Sequence, residues 1–362
     1  MADDYKYHID HHGSLVRPAG LLAARAGGDA EALADAETEA VAAVSHVLRR
    51  LALSGVGDGQ FRRAHFESVV YDQVGGFEPV KGAQPLADAA GISPARRRVL
   101  RDSPRAAGRL AQAEVAPVLA AVDRPVFVQL PSPGYLAAVG SGLGDRASVD
   151  AAAARGAALA AVLRAEIEAL AADGVAYVAL GNPLYPPLLT VAGRSRLAAA
   201  DVDADAVLGM LLEADRAAVA GLAVPGTFRV GLDVTDSGPL PTTERGYEPA
   251  AVDALLDANP FHRLGVDFPA DPGARLPLER VKPGLVLSLG VVDVSGAALE
   301  DVEDILARVD PVVDERSEDD VAIATNGGFA QSADRPLMSE EAQNAKLRLV
   351  ETVARYYWGN EI

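Results

Sequence analysis

Short runs of consecutive apolar residues, each of strand length and each ending in a polar tip, recur along the chain at residues 125–130, 175–180, 229–234, 264–266, 284–290 and 321–325. Between them lie stretches whose apolar positions return at helical spacing, at about residues 29–51, 148–172, 203–221, 250–258 and 299–308. A last helix is expected to open at a Ser339 N-cap, with Glu340 and Glu341 in its first turn where the helix dipole favours acids. Two weaker strand candidates precede these, an alternating segment at 5–10 and a short one leading into Asp58.

Strands that read as unbroken apolar runs belong to a parallel sheet covered by helices. Eight such candidates alternating with helices predict an α/β chain folded as a (β/α)8 TIM barrel, a single domain over residues 1–362. Residues 66–121 interrupt the alternation. Gly75-Gly76 predicts a hairpin or excursion there, followed by helices rich in Arg and Ala, so the barrel carries an N-terminal insertion.

Composition narrows the function. At 49% hydrophobic residues the chain can bury a large core, yet no window reaches the ~18–20 apolar residues that span a bilayer. Met1-Ala2-Asp3-Asp4 lacks the basic and apolar regions of a secretory signal, so a cytoplasmic location is expected. With no cysteine, disulfides, a thiol nucleophile and thiolate metal sites are excluded. A net charge of −18 argues against nucleic acid or an anionic membrane as partner, leaving a small molecule; a homodimer stays open. Neither a phosphate loop nor a Ser-His-Asp signature is present. Gly140-Ser141-Gly142-Leu143-Gly144 does not follow a strand and reads as a connection or lid.

In a barrel of this kind the chemistry sits at the C-terminal strand ends. Those tips are His11, His12 and Ser14; Asp58 and Gln60; Ser132; Asn182; Asp233, Thr235 and Asp236; Asp267; Asp293; Thr325 and Asn326. A carboxylate in a dry mouth beside other carboxylates keeps its proton more readily, which suits Asp233 to general acid/base work, with Asp236 or Asp267 as the neighbouring charge. His8, His11 and His12 form the one histidine cluster. An ordinary structural role is the simpler reading for them, and a hard-metal site of His11 or His12 with Asp233 and Asp267 the alternative. Among Arg17, Arg62 and Arg63, one is expected to grip a carboxylate or phosphate. Tyr185, Tyr247 and Phe329 sit on loops that could cover a ligand.

Several segments in order resemble the cobalamin-independent methionine synthase family, in particular its short single-barrel members. They are His12-Gly13-Ser14-Leu15-Val16-Arg17-Pro18, Asp58-Gly59-Gln60-Phe61-Arg62-Arg63, Leu130-Pro131-Ser132-Pro133, Gly246-Tyr247-Glu248-Pro249, Asn326-Gly327-Gly328-Phe329-Ala330, and Ala345-Lys346-Leu347-Arg348-Leu349 with Trp358-Gly359. The resemblance implies a zinc enzyme that alkylates a thiolate, its metal held by a His-x-Cys pair, a Glu and a Cys. At those places this chain has Asp233, Thr235, Gly265 and Gly327. Zinc needs three or four placed donors, so no zinc and no other cofactor is expected. Where relatives hold a substrate ammonium with acids, the chain has Gln60 and Gly181-Asn182-Pro183, which implies a substrate without an ammonium group. The Gly13-Ser14 turn, a carboxylate-binding element by the same resemblance, is kept.

The expectation is therefore a zinc-independent enzyme acting on a small carboxylated molecule as a lyase, isomerase or non-thiol group transferase. Asp233 would be its general acid/base, with Thr235, Asp267 and Asn326 assisting. His11, His12, Ser14, Arg17, Asp58, Gln60, Arg62, Ser132, Asn182 and Tyr247 would bind substrate. Metal-dependent methyl or alkyl transfer at a non-classical site, and a non-catalytic binding relative, are the alternatives.

Overall fold

The computed structural model describes residues 8–51, 53–142, 146–235, 245–257 and 259–359. An antiparallel pair, β1 (Val74–Pro79) and β2 (Arg98–Ala106), precedes a parallel sheet. The sheet runs β3 (Phe127–Pro131), β4 (Tyr177–Gly181), β5 (Arg229–Asp233), β6 (Arg263–Asp267), β7 (Val286–Val292) and β8 (Val321–Thr325) in sequence order. A small hairpin, β9 (Ala330–Ser332) with β10 (Arg335–Pro336), follows.

Two single bridges close the sheet into a ring. Ile9 bridges Ile323 of β8 in parallel, and Val56 bridges Val126 just before β3. Between them the Ser54 amide donates to the Ile9 carbonyl at 3.0 Å. The eight-fold TIM barrel is thus complete, with its first two positions reduced to a few residues each. β3, β4 and β8 are buried along their whole length, as their unbroken apolar sequences require.

The covering helices have local causes. Asp29 caps Ala30–Arg50 by accepting from the Glu31 and Ala32 amides, and that helix buries Val41, Val44 and Leu48, three or four residues apart. Ser339 caps Glu340–Trp358 through the Ala342 amide, as its sequence predicts. Arg146–Asp173 packs against both Pro133–Ser141 and Ala204–Val219. Among the described residues no helix is long and apolar enough to cross a membrane.

Residues 66–121 hold an antiparallel strand pair and the helices Pro85–Ala89 and Gln112–Ala121, with two differences in detail from the prediction. Gly75 and Gly76 lie inside β1 rather than in a turn, and the Arg-rich stretch after it forms β2 instead of a helix. A register shift between Gly75 and Phe77 explains the glycines: a Cβ on Gly76, at φ +103°, would meet the Asp102 carbonyl oxygen at 3.0 Å. Gly140 and Ser141 end the helix Pro133–Ser141, with Gly142 as its left-handed cap; Leu143 and Gly144 fall outside the described residues.

Candidate functional site

Parallel register places Gly181, Asp233, Gly265 and Ser288 side by side across β4 to β7. Paired residues of neighbouring strands point to the same face, so Asp233 enters the barrel between two positions that have no side chain. A Cβ on Gly265 would lie 3.2 Å from Asp233 Oδ1. One on Gly181 would lie 3.2 Å from Gln129 Nε2 and 2.8 Å from the Phe66 ring. The glycines make the room that this carboxylate and its partners fill.

Asp233 is saturated with donors. Its Oδ2 lies 2.5 Å from His12 Nδ1 and accepts from Gln129 Nε2 at 2.7 Å. Its Oδ1 accepts from the Thr235 amide at 3.0 Å and from the Thr235 hydroxyl at 2.7 Å. Burial alone would lower the His12 pKa. Contact with the Asp233 carboxylate, with Asp267 adding attraction, more than reverses this and raises it to about 9. At neutral pH the raised pKa favours His12 as an imidazolium on the floor of the mouth. His11, next along the chain, is the opposite case. Burial pushes its pKa down to about 4, and its Nδ1 accepts from the Gly13 amide, so it is a neutral structural group.

Above this floor lies a cavity of about 620 Å³ including its open mouth. The predicted residues His12, Ser14, Arg17, Gln60, Asn182, Asp233 and Thr235 all line it. Sequence reasoning missed Gln129, a polar residue inside an apolar strand, and His65, Phe66, Arg96 and Gln331, which come from the excursion side and the β9 hairpin. Gln129 carried a signal, since a lone amide in a buried run needs a partner. The others had none, because no strand tip delivers them.

The remaining predicted residues serve the frame. Asp58 Oδ1 accepts from the Gln60 amide and holds Gln60 at φ +57°. Burial, with Glu114 nearby, raises the Asp58 pKa to about 7. Ser132 caps Pro133–Ser141 and is fully buried. Asn326 uses both ends of its amide on the loop after β7, accepting from the Val294 amide and donating to Asp293. Asp267 stands at the β6 tip, near enough to favour the His12 cation but outside the cavity wall. Tyr247 bridges Thr190 and does not line the cavity; Tyr185 is buried against Asp215, and Phe329 is core. Asp236 lies outside the described residues.

The expectation of a gripping arginine needs correction. Arg62 pairs with Glu37, and Arg63 is held bidentately by Glu114. Arg17 turns its two terminal nitrogens to the carbonyls of Leu15, Gln60 and Arg63. It faces the cavity as a buried charge rather than an open fork, and among the described residues it has no carboxylate ion pair. The Gly13-Ser14 turn is likewise closed on itself, since the Ser14 amide donates to the His12 carbonyl and its hydroxyl to that of Ala330.

A zinc ion does not fit these residues. Asp233 has no free lone pair directed outward, the Thr235 hydroxyl is turned into it, and Gly265 and Gly327 offer no donor. Among the described residues no group of three or more His, Cys, Asp or Glu side chains converges on one point. His11 or His12 with Asp233 and Asp267, the alternative metal set, is not such a group.

No family model matches the chain. It is 25% identical to the uncharacterized proteins YxjH and YxjG of Bacillus subtilis, covering 97% of this chain and 95% of each of them. A protein of Listeria monocytogenes described as a candidate vitamin-B12 independent methionine synthase superposes with a TM-score of 0.67 at 20% identity, over 98% of both chains. A B12-independent methionine synthase from Shewanella sp. W3-18-1, solved with selenomethionine, gives 0.72 at 15% over 97% of both. A methyltransferase from Methanosarcina mazei gives 0.54 at 14%, over 99% of this chain and 97% of its own. Over nearly its whole length, the chain has the fold of the cobalamin-independent methionine synthases.

Proposed function

We propose that this chain is an enzyme that binds a small carboxylate-bearing molecule in the barrel mouth and moves a proton next to that carboxylate, as a lyase or isomerase does. The observation that carries the reading is the His12–Asp233 pair on the cavity floor. A carboxylate with four donors is a poor free base, so the proton-handling element is the dyad. The neutral imidazole of His12 takes the carbon-bound proton, and the imidazolium it becomes, stabilised by Asp233, returns it. Asp233 holds the imidazole and favours its charged form; Gln129 and Thr235 hold Asp233.

Charge supports the ligand class. In a chain of net charge −18, the cavity is lined by Arg17, Arg96 and the His12 cation against the single carboxylate of Asp233. Arg17, its terminal nitrogens spent on carbonyls, adds positive potential to the mouth rather than a free fork, and Asp58 and Glu114 nearby offset part of it. Gln60 and Asn182 stand where an ammonium group would need acids, and Asn182 is in any case tied to Asp215.

The test is solvent exchange. Small 2- and 3-oxygenated carboxylates incubated with the protein in deuterium oxide should take up deuterium beside the carboxylate, followed by proton NMR. His12→Gln and Asp233→Asn should abolish it; a carboxylate that binds but never exchanges would sink the reading. Methyl or alkyl transfer is the second reading, favoured by the shared fold alone. Stoichiometric zinc in the purified protein, lost with Asp233→Ala, would restore it.

A further inference from the structure

We infer that Arg96 reads a second anionic group, which makes the ligand of this cavity a small molecule with an anionic group at each end, of which a dicarboxylate is the simplest. This rests on the anion-binding reading of the mouth. Arg96 does not belong to the barrel. It closes the short turn Pro94–Arg96 between β1 and β2, and it reaches the cavity wall with 7% of its surface exposed.

Its aim is fixed from behind. Arg96 Nε donates to both oxygens of Glu67, at 3.0 and 3.2 Å, and Nη2 donates to Oε1 at 2.7 Å. Glu67 is itself fully buried and accepts from the Tyr135 hydroxyl at 2.5 Å. One edge of the guanidinium is thereby locked onto a carboxylate. The other nitrogen, Nη1, donates to no described residue, and it is not among the buried polar atoms that lack a partner. A rigid planar fork with one arm left over is suited to a directional charged hydrogen bond.

Arg96 and Arg17 occupy separate electrostatic surroundings. Around Arg17 the neighbouring charges are Asp58, Arg25, Arg63 and Glu114; around Arg96 the neighbouring charge is Glu67, with the neutral hydroxyls of Tyr135 and Tyr71 beside it. The two guanidinia approach the cavity from different parts of the chain, one from the turn after the first barrel position and one from the excursion. A ligand with one anionic end meets either the positive potential of Arg17 or the spare arm of Arg96; a ligand with two meets both.

The experiment is titration calorimetry on the full chain with succinate and glutarate against butyrate and valerate, the matched monocarboxylates. Wild type should bind each dicarboxylate at least tenfold tighter than its partner. Arg96→Lys keeps a cation beside Glu67 and so guards the fold, which circular dichroism checks, but loses the spare arm; the preference should fall to about one. Equal binding of both classes by wild type overturns the second anion site while leaving the anion-binding mouth standing. A preference that survives in Arg96→Lys removes Arg96 from the role. Binding of neither class overturns this inference together with the reading beneath it.

Discussion

His12 Nδ1 and Asp233 Oδ2 stand 2.5 Å apart, although 221 positions separate them along the chain. The contact joins the turn after the first barrel position to the tip of β5, across the mouth. Removing its charge is the most direct perturbation of the site. Asp233→Asn replaces one acceptor oxygen by a donor and leaves His12 without its counter-charge. Turnover should fall by about 100-fold or more. Stability should fall too, by about 1–3 kcal/mol, because a buried set of four donors loses its acceptor. Steady-state kinetics and calorimetric melting check both.

The same pair sets a pH dependence. The His12 pKa rises from 6.5 to about 9 on folding, through Asp233. The stability it contributes is therefore fully present below about 6.5 and is lost as the pH climbs through about 9. The melting-temperature gap between wild type and His12→Gln should be constant in the acid range and close between pH 6.5 and 9. A gap that does not change with pH would show that the pair carries no charge.

Arg63 and Glu114 form a buried bidentate pair beneath the mouth, at 2.7 and 2.8 Å, beside Asp58. Arg63→Met leaves an uncompensated carboxylate and should cost about 3–5 kcal/mol in urea unfolding. The double variant Arg63→Met with Glu114→Leu should recover part of that loss, since Glu114 is then no longer stranded and Asp58 keeps Arg17 as a neighbouring cation.

Gly265→Ala probes the space beside Asp233. The added methyl would stand 3.2 Å from Asp233 Oδ1, tight enough that the carboxylate or its neighbour must shift. The expected stability cost is about 1 kcal/mol. The catalytic cost should be larger, about tenfold or more in kcat, because the dyad is displaced. A variant with native turnover would show that the position of Asp233 is not critical.

How far the chain could be read beforehand follows from which forces act locally. The six strands β3 to β8 were legible because a strand buried on both faces must be apolar throughout, and that leaves an unbroken run. The first two barrel positions were faint because each is only a single bridge. β2 was misread: its Arg-rich sequence reflects side chains turned to solvent from an exposed hairpin, such as Arg101 and Arg105, not a helix. In the site, strand tips such as Asp233 and Asn182 could be foreseen because barrel geometry fixes where tips go. Arg96 could not, since its place depends on Glu67 and Tyr135, which come from two other segments. The role of Asp233 also changed. Nothing near it in sequence shows that His12 would saturate it.

The glycines on either side of Asp233 also bear on how this mouth could change over time. A side chain gained at 265 collides with the carboxylate, and one gained at 181 collides with Phe66 and Gln129. Neither position can acquire a new donor in one step without displacing something already in use. Substitutions along this row are therefore best tolerated when a neighbour changes with them. The roof shares this constraint, since Phe66 packs against position 181 and Arg96 is held by Glu67 and Tyr135. Ligand preference at the roof and chemistry at the floor would then change in step rather than separately.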